Sequence, residues 1–117
     1  MRRSSSMLFV EDDSLLAEYA VDALRIAGLH VHPVADARAA IELFVDGRFD
    51  CAVIDVELPG GIDGVELARR LRELRPGFPI VLATGYDADA CGAPADLRVF
   101  QKPYRFEDIV AVFRDGP

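Results

Sequence analysis

Short apolar runs alternate with helix-like segments along the whole chain, and this alternation constrains the fold most. Five runs of four or five residues have the composition of strands. They are Met7–Val10, His30–Val34, Cys51–Ile54, Ile80–Ala83 and Val99–Lys102, of which the second is more polar and suits a sheet edge. Strands that alternate with helices of this length predict an α/β fold, with a five-stranded parallel sheet covered by helices on both faces.

Periodicity and capping residues predict the helices between these strands. Ser14 is predicted to cap the first helix, which ends at Gly28, and Asp13 is predicted to be a turn or helix cap. Its apolar residues recur every three or four positions and predict one buried stripe, made of Leu15, Leu16, Tyr19, Ala20, Ala23, Leu24 and Ala27. The later helices are predicted at Ala37–Val45, Gly64–Leu74, Asp87–Leu97 and Arg105–Arg114. Gly92 and Pro94 make the fourth of the five helices the weakest.

Length and charge predict one cytoplasmic domain. A chain of 117 residues has the usual size of a single domain, here residues 7–117. Residues 1–6 are polar and basic, and the apolar stretch after them stops at Glu11, so we expect a disordered leader and no signal peptide. No apolar run approaches the roughly 20 residues that span a bilayer. The net charge of −7 disfavours direct binding of nucleic acid.

Polar side chains stand where four of the predicted strands end. Glu11 and Asp12 follow the first strand and Asp55 follows the third, while Thr84 and Lys102 mark the last two. Because the carboxyl ends of parallel strands open onto one edge of a sheet, we expect these side chains to converge. Crowded carboxylates repel unless a cation neutralises them, and Mg²⁺ prefers such oxygen ligands. An ammonium and a hydroxyl beside them suit a phosphoryl group.

The motifs around these residues resemble the receiver domains of response regulators in bacterial two-component signalling, from Met7 to about Arg114. The matching segments are Phe9-Val10-Glu11-Asp12-Asp13, Val53-Ile54-Asp55-Val56-Glu57-Leu58-Pro59-Gly60, Asp63-Gly64, Ala83-Thr84-Gly85 and Gln101-Lys102-Pro103-Tyr104. The resemblance implies a flavodoxin-like (βα)5 three-layer sandwich around a five-stranded parallel sheet. It also implies a signalling phosphoprotein that acts as a switch and catalyses only phosphoryl transfer to and hydrolysis from itself.

The resemblance assigns a role to each polar residue at the strand ends. Asp55 is implied as the phosphoacceptor, which receives phosphate from a sensor histidine kinase or a histidine phosphotransfer protein. Thr84 would hydrogen-bond the phosphoryl group and Lys102 would pair with it. The peptide bond between Lys102 and Pro103 is expected to be cis.

By the same resemblance, Mg²⁺ is the cofactor. Asp12 and Asp55 would bind it directly, Glu11 directly or through water, and Glu57 through its backbone carbonyl. Output would pass to a downstream protein through the fourth helix, the last strand and the last helix, with no nucleic acid or membrane involved. Tyr104, Phe106 and Asp108 are candidate contacts on that face, and we expect a monomer or weak homodimer. The last helix ends the chain, which predicts a stand-alone receiver, although a receiver excised from a larger hybrid kinase also fits.

Two positions depart from the family pattern. The acid after the phosphoacceptor loop, Asp63, lies eight residues beyond Asp55 instead of seven, because the loop carries an extra glycine. Val99 stands three residues before Lys102, where the family usually has an aromatic residue that moves with the threonine. Phe100 is next to it and is expected to point to the opposite face of the sheet and pack in the core.

Two other functions share some of these features. A Mg²⁺-dependent phosphoryl-transfer or nuclease domain of toprim type also uses an early glutamate, here Glu11, and a later acid-x-acid pair, here Asp55 and Glu57. Such a domain does not require Thr84 or Lys102. A receiver-like binding module that is never phosphorylated is the other alternative.

Overall fold

The five strands form one parallel sheet. A computed structural model describes residues 5–115. The strands are β1 (Ser6–Val10), β2 (His30–Val34), β3 (Cys51–Asp55), β4 (Ile80–Thr84) and β5 (Arg98–Gln101). Their order across the sheet is β2-β1-β3-β4-β5, and all neighbours are parallel. The register sets Asp55 beside Ala83 and Thr84 beside Gln101, so the carboxyl ends of the central strands lie together as predicted.

Helices cover both faces of the sheet, which confirms the predicted flavodoxin-like three-layer sandwich. They are α1 (Ser14–Ile26), α2 (Ala37–Asp46), α3 (Gly64–Leu74) and α4 (Phe106–Asp115). One core cluster joins α1 and α4 to the sheet through side chains such as Met7, Phe9, Val53 and Ile109. The other joins α2 and α3 to the opposite face through Leu8, Ile54 and Leu82. Strand residues therefore alternate between two cores, as expected for a buried sheet.

The first strand begins earlier than predicted. Ser6 is its first residue, and Ser5 is buried and accepts a hydrogen bond from the His30 backbone N–H at 2.9 Å. The prediction of a disordered leader is therefore wrong for these two serines, because their backbone groups extend the pairing with β2. For residues 1–4 the prediction lies outside the described part of the chain.

The first helix differs from its prediction in its cap and in its buried face. Asp13, predicted as a turn or helix cap, is the cap in place of Ser14, and its carboxylate accepts the backbone N–H groups of Leu15 and Leu16 at 3.1 Å. The buried stripe runs through Ala17, Ala20, Val21 and Leu24. Leu15 and Tyr19, predicted to be buried, are 77% and 67% exposed. The helix packs its smaller side chains onto the sheet, which lets its backbone come close.

The fourth connection holds no α-helix. The predicted helix over Asp87–Leu97 is wrong, because the segment forms only a single 3₁₀ turn at Ala88–Ala90. Gly92 has a φ of 79°, which a right-handed helix does not contain. Pro94 has no N–H to donate, so the segment cannot continue a helical hydrogen-bond ladder.

Candidate functional site

Asp55 lies at the carboxyl end of β3, buried to 5% exposure. Its Oδ1 accepts the backbone N–H of Glu57 at 3.2 Å, which fixes one side of the carboxylate. The start of α3 closes over the same turn, with the Gly64 N–H donating to the Val56 carbonyl at 2.8 Å. A Cβ at Gly64 would lie 2.1 Å from the Asp55 carbonyl oxygen. Only glycine allows this approach of helix and strand, which explains the Asp63-Gly64 motif.

Lys102 reaches into the site from the end of β5. Its backbone N–H donates to the Thr84 carbonyl at 2.7 Å, and the bond to Pro103 is cis, as predicted. Its ammonium Nζ lies 2.8 Å from Glu11 Oε1 and 3.2 Å from Asp55 Oδ2. The sequence predicted a partner for this lysine only in a phosphoryl group. The structure instead shows the ammonium shared by two buried carboxylates.

Three acids meet at this edge and could hold a metal ion. Within residues 5–115, Glu11, Asp12 and Asp55 form the one such group, with one carboxylate oxygen from each residue within 4.8 Å of the others. Glu11 and Asp55 are buried, while Asp12 is exposed at the rim. Lys102 offers one positive charge against three carboxylates. A divalent cation would balance the remaining charge, so the donor set fits Mg²⁺.

The pKa values of the two buried acids, Asp55 and Glu11, shift in opposite directions. Burial and the neighbouring Glu11 carboxylate raise the pKa of Asp55 to about 7. Burial is the largest single influence on Glu11 and works against its ionisation, but the hydrogen bonds from Lys102, the Asp13 backbone and Asp55, together with the Lys102 charge, lower the pKa of Glu11. For Lys102, burial opposes the charge, yet the hydrogen bond to Glu11 and the nearby Asp55 raise the pKa of the ammonium. Without a metal, Asp55 is therefore the acid of this pair that is more easily protonated.

Thr84 is fully buried and faces Glu57. Its Oγ1 donates to Glu57 Oε2 at 2.6 Å and accepts the backbone N–H of Tyr86 at 3.2 Å. The Gly85 N–H donates to Glu57 Oε1 at 2.8 Å. The receiver resemblance predicted a role for Glu57 only through its backbone carbonyl, so this side-chain contact was not predicted. Its partners lie 27 and 28 residues away, and no local motif indicates such a contact.

The aromatic residue near the end of β5 lies on the opposite face from the family's position. Val99 packs against the core beneath α2 and α3. Phe100 packs against the other core, half-buried, with the Arg98 guanidinium 5.2 Å from its ring centre. The expectation that Phe100 packs in the core holds for this side of the sheet. No aromatic ring at position 99 is available to move with Thr84.

A chain of rings leads from β5 to the surface beside the site. The centroids of Phe100 and Tyr104 are 6.2 Å apart, those of Tyr104 and Phe106 5.5 Å, and those of Phe106 and Tyr19 5.6 Å. Burial raises the pKa of Tyr104 to about 12. Asp108, the third residue predicted for the output face, is exposed in the first turn of α4.

The loop after β3 accommodates its extra glycine at the surface. Gly60 and Gly61 have φ angles of 90° and 88°, and a Cβ at either position would meet open space. Two adjacent residues with positive φ require glycine. After this loop the Asp63 carboxylate caps α3 by accepting the Glu66 N–H at 2.8 Å.

In residues 5–115, no helix combines the length and the apolar character that a membrane span requires.

Known proteins resemble this chain over nearly its whole length. The model of the response regulator receiver domain matches residues 7–114. The response regulator receiver protein CpdR of Brucella abortus (strain 2308) is 35% identical over 108 residues, which is 89% of each chain. The sensor kinase CckA of the same strain is 31% identical over 118 residues, 96% of this chain but only 12% of the kinase.

A solved structure shows the same fold. The response regulator receiver protein of Sinorhizobium medicae WSM419 superposes with a TM-score of 0.85 at 28% identity, over 96% of this chain and 93% of that one. Nothing in these similarities supports the toprim alternative. The chain belongs to the response regulator receiver domains, the phosphoacceptor switches of two-component signalling.

Proposed function

We propose that Asp55 is the residue that accepts the phosphoryl group. The observation that carries this assignment is the buried Asp55 carboxylate at the end of β3, with the Lys102 ammonium 3.2 Å away and two more acids beside it. Its Oδ2 attacks the phosphorus of a phosphohistidine. The N–P bond breaks as the O–P bond forms, and the imidazole leaves.

Lys102 and Thr84 serve the transferred group. Once Oδ2 carries the phosphoryl group as an acyl phosphate, the Lys102 ammonium pairs with phosphoryl oxygens, where it remains held on its other side by Glu11. The Thr84 hydroxyl donates a hydrogen bond to the phosphoryl group from the end of β4. Attack requires the ionised carboxylate, and a pKa of about 7 leaves Asp55 partly protonated at neutral pH when no metal is bound.

Mg²⁺ is the proposed cofactor. Glu11, Asp12 and Asp55 would hold it with their carboxylates, and Glu57 with its backbone carbonyl. The ion supplies positive charge that offsets the negative charge on the phosphoryl oxygens and the acids. This assignment rests on the crowding of three carboxylates around one lysine.

The same chemistry defines the partners. A phosphohistidine donor is needed, so a sensor histidine kinase or a histidine phosphotransfer protein is the proposed source of phosphate. We place the domain in the cytoplasm, where ATP supports such donors. Output passes by protein contact to a downstream target, with a monomer or weak homodimer as the acting species. The domain works as a switch, because its only chemistry is the gain and loss of its own phosphoryl group.

A mass measurement tests the phosphoacceptor. The protein is incubated with acetyl phosphate and Mg²⁺, and its intact mass is recorded. We expect one added phosphoryl group in the wild type and in Asp46→Asn, an exposed carboxylate on α2. Asp55→Asn is expected to gain none. An adduct that persists in Asp55→Asn would move the acceptor elsewhere, and no adduct in any protein would support a binding module that is never phosphorylated.

A further inference from the structure

The Glu57 side chain occupies the hydrogen-bond donors that flank the phosphoacceptor. Glu57 lies in the loop after β3, two residues beyond Asp55, and its carboxylate spans to the turn after β4. One oxygen accepts the Thr84 hydroxyl at 2.6 Å, and the other accepts the Gly85 N–H at 2.8 Å. This is a two-point anion contact with a threonine whose side chain is fully buried.

The two donors cannot serve two anions at full strength. A hydroxyl has one proton, and Thr84 directs it to Glu57 while its oxygen accepts the Tyr86 N–H at 3.2 Å. The Gly85 N–H is likewise directed at the Glu57 carboxylate. A phosphoryl group on Asp55 needs the same hydroxyl proton, and its charge repels the carboxylate that holds it.

We propose that the Glu57 carboxylate is an internal competitor for the phosphoryl group, a positioning residue that holds Thr84 and Gly85 until phosphate displaces it. The inference rests on the proposed function of Asp55. In the unmodified domain Glu57 keeps the Thr84 hydroxyl fixed at the end of β4. On phosphorylation the Glu57 side chain swings out toward solvent, where the exposed loop gives it room, and the two donors transfer to phosphoryl oxygens.

The competition lowers the affinity for a phosphoryl group. A charge-assisted hydrogen bond is among the stronger polar contacts, so breaking this one opposes binding. Removing the competitor is expected to tighten binding by about tenfold, the equivalent of roughly 1.4 kcal/mol. The backbone carbonyl of Glu57 remains in every variant, so the proposed metal ligand is preserved.

Side-chain variants separate reach from charge. Glu57→Ala removes both, Glu57→Gln keeps the reach without the charge, and Glu57→Asp keeps the charge but is one methylene too short to hold both donors. Glu73→Ala, which removes an exposed acid on α3, controls for net charge. Beryllofluoride, a phosphoryl mimic, is titrated in the presence of Mg²⁺, and binding is followed by ¹H–¹⁵N NMR of the backbone amides.

A ligand-free measurement accompanies the titration. The Gly85 amide resonance of the unliganded wild type is expected downfield because of its carboxylate acceptor, and it should move upfield in Glu57→Ala and Glu57→Asp but not in Glu73→Ala. Glu57→Ala and Glu57→Asp are expected to bind beryllofluoride about tenfold more tightly than wild type. The affinity of Glu57→Gln is expected to lie between that of wild type and that of these two variants.

The outcomes divide cleanly. If Glu57→Asp binds beryllofluoride with wild-type affinity and only Glu57→Ala and Glu57→Gln bind more tightly, the effect of Glu57 is charge repulsion and not competition for the two donors. An unchanged Gly85 amide in all Glu57 variants would overturn the inference at its geometric basis. If the Gly85 amide responds as expected but no protein binds beryllofluoride, the contact stands and the assignment of Asp55 fails.

Discussion

The Lys102 ammonium lies 2.8 Å from a carboxylate oxygen of Glu11, a residue 91 positions earlier in the chain. This pair ties the end of β5 to the end of β1, across the two strands that lie between them in the sheet. Asp55 shares the same ammonium at 3.2 Å, but burial and the neighbouring Glu11 carboxylate outweigh that contact and raise its pKa to about 7. In the metal-free site the repulsion among the acids is therefore relieved at Asp55, whose carboxyl is partly protonated at neutral pH.

Asp55→Asn is expected to stabilise the metal-free domain at alkaline pH. Because the pKa of Asp55 rises to about 7 on folding, its contribution to stability is full below the unfolded value of about 3.9 and is lost as pH rises through 7. At pH 8 in EDTA we expect the variant to gain about 2 kcal/mol in free energy of unfolding. The gain should fade towards pH 4. Urea denaturation across this range measures it.

Mg²⁺ and a surface variant serve as controls for that experiment. Mg²⁺ should stabilise the wild type more than Asp55→Asn, since a ligand that binds only the native state adds stability by mass action. Asp22→Asn, an exposed acid on α1, should show neither the pH dependence nor the metal dependence. A stability gain that is the same at pH 4 and pH 8 would contradict the assigned electrostatic origin.

Lys102→Met is expected to destabilise the domain. The variant leaves Glu11 and Asp55 without their shared counter-charge, and removing one partner of a buried pair is costly. Lys102 is partly exposed, so we expect a loss of about 1–3 kcal/mol in EDTA at pH 8. The double variant Glu11→Gln/Lys102→Met should lose less than the two single losses added together. Additive losses would show that the contact at 2.8 Å contributes nothing.

Gly64→Ala is expected to disrupt both stability and phosphorylation. The added methyl would overlap the Asp55 carbonyl at 2.1 Å, so α3 must move away from β3. We expect a loss of about 2–4 kcal/mol and slower reaction with acetyl phosphate. Gly60→Ala is the comparison, since its methyl meets open space and only its φ of 90° is unfavourable, for roughly 1 kcal/mol. Equal effects from the two variants would argue against the close approach.

The segment 87–97 is expected to exchange its amide hydrogens earlier than the strands. Its backbone bonds are few, including Ala90 N–H to the Asp87 carbonyl at 3.1 Å and Leu97 N–H to the Pro94 carbonyl at 3.0 Å. Segments with few buried contacts and hydrogen bonds open at low free-energy cost. Hydrogen exchange followed by mass spectrometry should show this segment exchanged while β4 is still protected. Matching protection of the two would refute the expectation.

The sequence predicted the sheet and the site edge well because both depend on local patterns. Strands such as Cys51–Asp55 are continuous apolar runs, and each polar residue of the site directly follows or closes a strand. Parallel topology then brings those ends together without any knowledge of tertiary contacts. Asp63-Gly64 is recognisable in the sequence as a motif, but the approach of Gly64 to β3, too close for a Cβ, is visible only in three dimensions.

The predictions that were wrong each depended on tertiary packing. The first helix has apolar residues on more than one side, so periodicity alone could not choose between Tyr19 and Val21 for the buried face. The alternation of strands and helices predicted a helix in the segment 87–97, but its glycine and proline do not allow an α-helix there. The contact of Glu57 with Thr84 joins two loops 27 residues apart and has no sequence signature.

The close approach of Gly64 also places Asp55 between two walls of unequal stiffness. Where α3 begins, even a methyl group has no room against the Asp55 carbonyl, so this wall moves only if Asp55 moves with it. The wall beyond Thr84 continues into a segment with a single 3₁₀ turn. We therefore expect a backbone displacement that starts at Asp55 to spread on the Thr84 side, where the chain is less constrained, and not towards α3.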